Sequence, residues 1–204
     1  SRRSHRPLAP CGARGPPAEG LVPPELQKPL PPPRGNPAPA SPPLRDIAKP
    51  FTSPVLPDGE KPEAYVDRFL AEFGASRDQA ALWRDLAGHA LVISRQLFER
   101  PDGSSKLTSY GRWRGGHVLR LAEAIRDPDE IWIDWGQGPD GQWRLVRRYL
   151  RANPDSPEFA SFTWSSSGWD GATAFPPSKG HTNKPDPGYL ERQRQGALLW
   201  RRGP

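Results

Sequence analysis

RWRGGHVLRLAEAIRDPDEIWIDW, residues 112–135, followed by GQWRLVRRYLRAN, residues 141–153, decides the fold. In HVLRLAEAIRD, Val118, Leu121, Ala122 and Ile125 recur at helical spacing, so one face of a helix is apolar. Pro128 blocks its continuation. IWIDW (131–135) reads as a strand, GQGPDG (136–141) as a hairpin turn, and Gln142–Arg151 as a second, strongly basic strand. A helix laid on a meander whose strands carry arginines and aromatics suits an anionic polymer. No cofactor motif competes with that reading.

Working outward, Phe159–Trp164 and Ala172–Phe175 supply a third and fourth strand. Tyr189–Gln195 reads as a helix, and Gly196 opens a last strand, ALLWRR. Upstream, KPEAYVDRFLAEFG (61–74) is a helix: Pro62 suits its first turn, Tyr65, Phe69, Leu70 and Phe73 share one face, and Gly74 caps it. RDQAALWRDLA (77–87) reads as a second short helix or an irregular turn. LVIS (91–94) is a short strand, RQLFER a helical turn, and residues 101–116 a polar loop. The fold class expected is α+β, with N-terminal helices packed on a four- to five-stranded, mostly antiparallel sheet.

The composition is split. Of 28 prolines, 18 lie in the first 62 residues, in runs such as PLPPPRGNPAPASPP. Residues 1–60 are therefore expected to form a disordered tail and linker, and residues 61–204 the domain. A proline-rich ligand for another domain is the alternative use of that tail. The net charge of +6 is uneven: residues 1–50 carry 8 Lys/Arg against 3 Asp/Glu, residues 51–90 carry 4 against 7, and residues 91–204 carry 17 against 13. Arginine dominates the last segment, and its planar fork suits phosphate oxygens. A solvated basic surface is the plainer explanation. Cys11 is the one cysteine, so no disulfide forms within the chain, and no Cys/His cluster suggests a metal. No apolar run is long enough to span a membrane, and the opening SRRSHRPLAP lacks the apolar core of a signal peptide. Without an initiator Met, the chain is expected to be a piece of a longer protein.

Several stretches together resemble a known family: LVIS (91–94) with Leu97 and Phe98, Lys106-Leu107, Arg112-x-Arg114, the helix ending RDPDEIW (126–132), RRYL (147–150), WDGATAFPP (169–177) and YLERQRQGALLWRR (189–202). Their order is similar to the phage-associated nuclease-like domains grouped with barnase, EndoU, the tRNA-cleaving colicins and RelE. The resemblance covers about residues 60–204. Such domains close phage Mu F-like head-morphogenesis (minor capsid) proteins, and SHRPLAPCGARG (4–15) with PPPRGNPAP (31–39) resembles the end of such a capsid module. The resemblance implies a metal-independent endoribonuclease-like toxin needing no cofactor. Its expected partners are RNA, with tRNA as one target, an immunity protein, and the capsid or portal; its expected setting is the phage virion or the bacterial cytoplasm.

Metal-independent RNA cleavage turns the 2′-hydroxyl on the adjacent phosphorus, so it needs a base, an acid and cations for the phosphorane. His117 opens the central helix beside Arg112 and Arg114. The helix N-terminus and two arginines favour its neutral, basic form; a histidine that simply caps the helix is the alternative. Arg148, in RRYL, shares a strand face with Arg144, while Arg147 points the other way. The catalytic set expected is His117, Arg148, Arg114 and Thr173. Lys106, Arg112, Arg144, Thr163, Lys179, His181 and Arg194 are the expected substrate-binding set, with Arg194 open to a structural role. Trp113 and Trp169, in loops, are the better base-stacking tryptophans; Trp132, Trp143, Trp164 and Trp200 belong to strands and to packing. Two other functions fit the same sequence: an ADP-ribosyltransferase, although Ser165–Ser167 lacks a following E-x-E, and a non-enzymatic module that binds nucleic acid or the capsid.

Overall fold

The computed structural model describes residues 42–99, 102–105, 107, 113–137, 143–155, 159–165, 172–173 and 188–203. Two helices form the first layer. Helix α2 (Pro62–Ala71) follows a short helix α1 (Leu44–Ile47) and buries Tyr65, Val66, Phe69 and Leu70. Helix α4 (Val118–Arg126), preceded by a single turn α3 (Trp113–Gly116), buries Val118, Leu121, Ala122 and Ile125, the apolar positions read from the sequence. Asp127 ends α4, and Pro128 follows it.

The second layer is a sheet of β3 (Glu130–Gln137), β4 (Trp143–Ala152), β5 (Phe159–Ser165), β6 (Ala172–Thr173) and β7 (Ala197–Arg201). Its order is β6-β5-β4-β3-β7, and all four pairings are antiparallel. A register shift between Ile131 and Trp132 lets β7 follow the twist of β3. Helix α5 (Tyr189–Gln193) leads into β7. The α+β architecture with an antiparallel sheet is thus the one expected.

Strand alternation divides the sheet. The helix-side face carries Ile131, Tyr149 and Phe162, which join α2 and α4 in the main core. Phe69 is the pivot, stacked on Phe162 at 6.2 Å and edge-on to Phe98 at 4.8 Å. On the second face Trp132, Leu150 and Ala152 pack with Leu44 and Leu190, so α1 and α5 cover part of it.

Three elements differ from the sequence reading. Residues 81–84 form a strand, β1, where a helix or irregular turn was expected; it pairs antiparallel with β2 (Ala90–Ile93) in a separate two-stranded sheet. Its alternation turns Ala81 and Trp83 inward and Leu82 and Arg84 outward. The pairing with β2 overrides a local spacing that also fits a helix turn. Residues 113–116 are helical rather than loop, and Gly115 lies against the Tyr65 ring, where a Cβ would overlap it. Residues 42–60, read as linker, strap the domain. Leu44 is buried on the second face, and Leu56 N donates to Gly116 O at 2.8 Å. The Tyr65 hydroxyl donates to Pro57 O at 2.6 Å. Leu44, Ile47, Phe51 and Leu56 stand between the prolines, and that apolar surface suffices to dock the segment.

Buried ion pairs tie the strap and the last strand to the sheet. The Glu123 carboxylate accepts from Thr52 N (3.0 Å) and Ser53 N (2.8 Å) and pairs with Arg151 at 2.9 Å. Arg151 also donates to Pro50 O at 3.1 Å. Burial alone would raise the Glu123 pKa, but those two amides and Arg151 outweigh it and hold the carboxyl below its ordinary value. Asp129 receives Ala152 N at 2.8 Å and Arg202 Nε at 3.0 Å; burial prevails there and moves its pKa up.

Candidate functional site

The second face of the sheet gathers part of the basic set. In register, Trp132 of β3, Arg148 of β4 and Thr163 of β5 form one row across the strands. Ala172 of β6 continues it. The next row holds Asp134, Val146 and Ser165, and Gly136 with Arg144 follows. Because strand side chains alternate, Arg148, Thr163 and Asp134 all belong to this face, opposite the main core. Arg147, facing the other way, sits in the row of Ile133 and Trp164. The separation of Arg148 from Arg147, legible in the sequence, is present in the structure.

Arg148 and Thr163 are half-buried and directly opposed across β4 and β5. A guanidinium beside a hydroxyl offers a planar pair of donors and a third rotatable one, a set that fits the oxygens of a phosphodiester. The row ends against Trp132, which is fully buried and donates Nε1 to Glu130 Oε2 at 2.7 Å.

Arg194, read as a substrate contact, is engaged inside the protein. Its Nε and Nη2 donate to the two Glu130 oxygens, each at 2.8 Å, and Nη1 donates to Glu191 at 2.7 Å. Arg201 adds a further contact to Glu130 at 2.8 Å. Burial would lower the Arg194 pKa, and the two carboxylates more than reverse this. A side chain 4% exposed with three donors committed is a strut between α5 and β3, not a group that meets substrate.

His117 lies elsewhere. It occupies the position before α4, where its carbonyl accepts Leu121 N at 3.0 Å. Helix α4 covers the helix-side face, so His117 belongs to that layer, with the main chain of Arg114 one turn before it in α3. The sheet lies between this pair and the Arg148–Thr163 row, and the structure does not draw His117 and Arg148 together. Thr173 is registered opposite Phe162, one step off the Thr163 row. The side chains of Arg114, Arg144, Trp113 and Thr173, and all of Lys106, Arg112, Trp169, Lys179 and His181, lie outside the described residues.

Two acidic residues escaped the sequence reading. Asp134 interrupts the apolar strand IWIDW and is fully buried. Asp85, in the turn of the β1–β2 hairpin, accepts from Tyr149 Oη at 2.7 Å, from Arg147 Nη1 at 3.0 Å and from His89 N at 2.8 Å. Burial, then the neighbouring Asp85 against the opposing Arg147, holds the Tyr149 phenol well above its ordinary pKa. This second polar cluster is enclosed by the helix-side core and clamps the hairpin to the sheet. An acid amid apolar strand residues was the signal for Asp134; for Asp85 only tertiary contact supplies one.

No curated protein and no solved structure matches the chain. A family model does, over residues 68–201, and its span runs from the middle of α2 to the end of β7. That span contains the whole five-stranded sheet and the Arg148–Thr163 row, and the chain belongs to the phage-Barnase-EndoU-ColicinE5/D-RelE like nuclease2 family.

Proposed function

We propose that this nuclease-family domain is a metal-independent endoribonuclease, carried as a toxin by a phage Mu F-like minor capsid protein and directed at RNA such as tRNA. The observation that carries the reading is the pairing of Arg148 with Thr163 on the face opposite the main core, with Arg144 four residues earlier on the same strand. In this reading Arg148 and Thr163 hold the non-bridging oxygens of the scissile phosphate. Arg144, Lys106, Arg112 and Lys179 bind the flanking backbone. The substrate's 2′-oxygen attacks phosphorus and its proton passes to a histidine. The P–O5′ bond breaks, O5′ leaves as a hydroxyl after protonation, and a 2′,3′-cyclic phosphate remains. His181 is the histidine proposed for the proton, since His117 stands on the other side of the sheet, and the single alanine variant His181→Ala tests it.

The test is incubation of the full chain with total cellular RNA in excess EDTA. Discrete fragments with cyclic-phosphate ends are expected. Arg148→Ala should lower the rate by about 10²–10³, the usual cost of one transition-state donor. Intact RNA at high protein concentration overturns the reading. Retained RNA binding would then point to the non-enzymatic module, and binding of a nicotinamide dinucleotide to a transferase.

A further inference from the structure

Residues 48–61 form neither helix nor strand, yet the domain engages their main chain from Pro50 to Pro57. Arg151 of β4 donates to Pro50 O at 3.1 Å. The Glu123 carboxylate of α4 accepts the amides of Thr52 at 3.0 Å and Ser53 at 2.8 Å, and Arg120 donates to Ser53 O at 3.4 Å. Gly116 O, at the end of α3, accepts Leu56 N at 2.8 Å, and the Tyr65 hydroxyl of α2 donates to Pro57 O at 2.6 Å. All of these partners stand on elements that follow the segment in the chain.

The side chains divide as those of a bound peptide do. Phe51 and Leu56 pack at the main core, while Thr52, Pro54, Val55 and Pro57 are exposed. The guanidinium carbons of Arg120 and Arg151 stand 4.8 Å and 5.8 Å from the centre of the Phe51 ring. The prolines at 50, 54 and 57 have no N–H to satisfy and restrict the free segment, so less freedom is lost on docking. Gly116 belongs to the fit, since a Cβ there would stand 2.8 Å from Leu56 O. Main-chain hydrogen bonds for affinity, with pockets for a few side chains, are how folded domains take extended peptides in trans. The link to α2 is different: Asp58, Gly59, Glu60 and Lys61 are exposed, and a Cβ on Gly59 would meet no heavy atom within 4 Å.

We infer that α2, α3, α4 and β4 form a peptide-binding groove. Its ligand is a proline-flanked segment presenting an aromatic and, five residues on, an aliphatic side chain, and Pro50–Pro57 occupies it in cis. The segment docks as a ligand does, so it stays bound when the link at 58–61 is cut. In the capsid-borne setting proposed above, and resting on it, a cut in the link leaves the domain attached to its carrier until the segment is drawn out of the groove.

The test uses the full chain with a protease recognition sequence inserted between Asp58 and Gly59. After complete cleavage the two pieces should co-elute on size exclusion under native conditions. A synthetic peptide of residues 42–57 should displace the N-terminal piece and leave the remainder folded by circular dichroism, whereas a scrambled peptide should displace nothing. Phe51→Ala in the cleaved chain should raise the dissociation constant by at least about tenfold. Pieces that part on cleavage, a remainder that unfolds on displacement, displacement by the scrambled peptide, or an unchanged constant in Phe51→Ala overturns the inference. Amide exchange in the uncut parent decides the matter if the inserted chain fails to fold. The amides of Thr52, Ser53 and Leu56 should exchange through an opening that leaves Tyr149 of β4 protected; exchange of all four only through one common unfolding overturns the inference. None of these readouts involves RNA, so a failure of the ribonuclease reading leaves them standing.

Discussion

Asp85 shows how a single residue joins distant parts of this chain. It lies in a hairpin turn and takes hydrogen bonds from Arg147 and Tyr149, more than 60 positions away. Removing one donor differs from removing the shared acceptor. Tyr149→Phe leaves Asp85 with Arg147 and the His89 amide, and should cost about 1–2 kcal/mol. Asp85→Ala leaves a largely buried guanidinium and a buried phenol without their acceptor, and should cost about 3–5 kcal/mol. Urea unfolding of both variants checks the order; equal losses would mean that Asp85 does not organise the cluster. Asp85 itself carries no mark in RDQAALWRDLA, because its worth comes from residues on another strand. Arg148 is different: alternation along WRLVRRYLRA assigns its face, and the register adds only its neighbours, Trp132 and Thr163.

At the level of elements, the strap over residues 42–60 depends on one carboxylate of α4. The Glu123 carboxyl is held below its ordinary value of 4.5 in the folded protein. Its contribution to stability is therefore complete above that value and is lost as the pH falls through the lower, folded one. The amides of Thr52 and Ser53 report this directly, since both donate to it. Their proton resonances should shift together on acidification in the parent and show no such titration in Glu123→Gln. Independent titrations of the two amides would separate them from Glu123. Helices α2 and α4 and the long strands were legible because each carries its own periodicity, as in Val118, Leu121, Ala122 and Ile125. Strand β1 was not, since four residues with mixed spacing acquire a β conformation only by pairing with β2. The four-residue turn α3 is likewise too short to carry a periodicity of its own, and its Gly115 packs against a ring from α2.

For the molecule as a whole, the folded unit begins before the family-matched span of residues 68–201. Leu44 lies on the second face with Trp132 and Leu150, and Phe51 and Leu56 pack at the main core. A protein of residues 42–204 should therefore be more stable than one of residues 61–204, by about 2–5 kcal/mol, the usual range for losing one large buried side chain and its cavity. Thermal unfolding of the two proteins makes the comparison, and equal midpoints would show the strap to be dispensable. The sequence by itself determined the α+β class, the helix–meander order, the excess of arginine in the C-terminal half and the face on which Arg148 stands. These follow from periodicity and charge, which are properties of short stretches. Tertiary structure alone decided that Arg194 is spent on Glu130, that His117 and Arg148 belong to opposite sides of the sheet, and that Glu123 meets the amides of Thr52 and Ser53. Each of those depends on register and layer packing between residues far apart in the chain, and no local pattern encodes which distant partner a buried charge will meet.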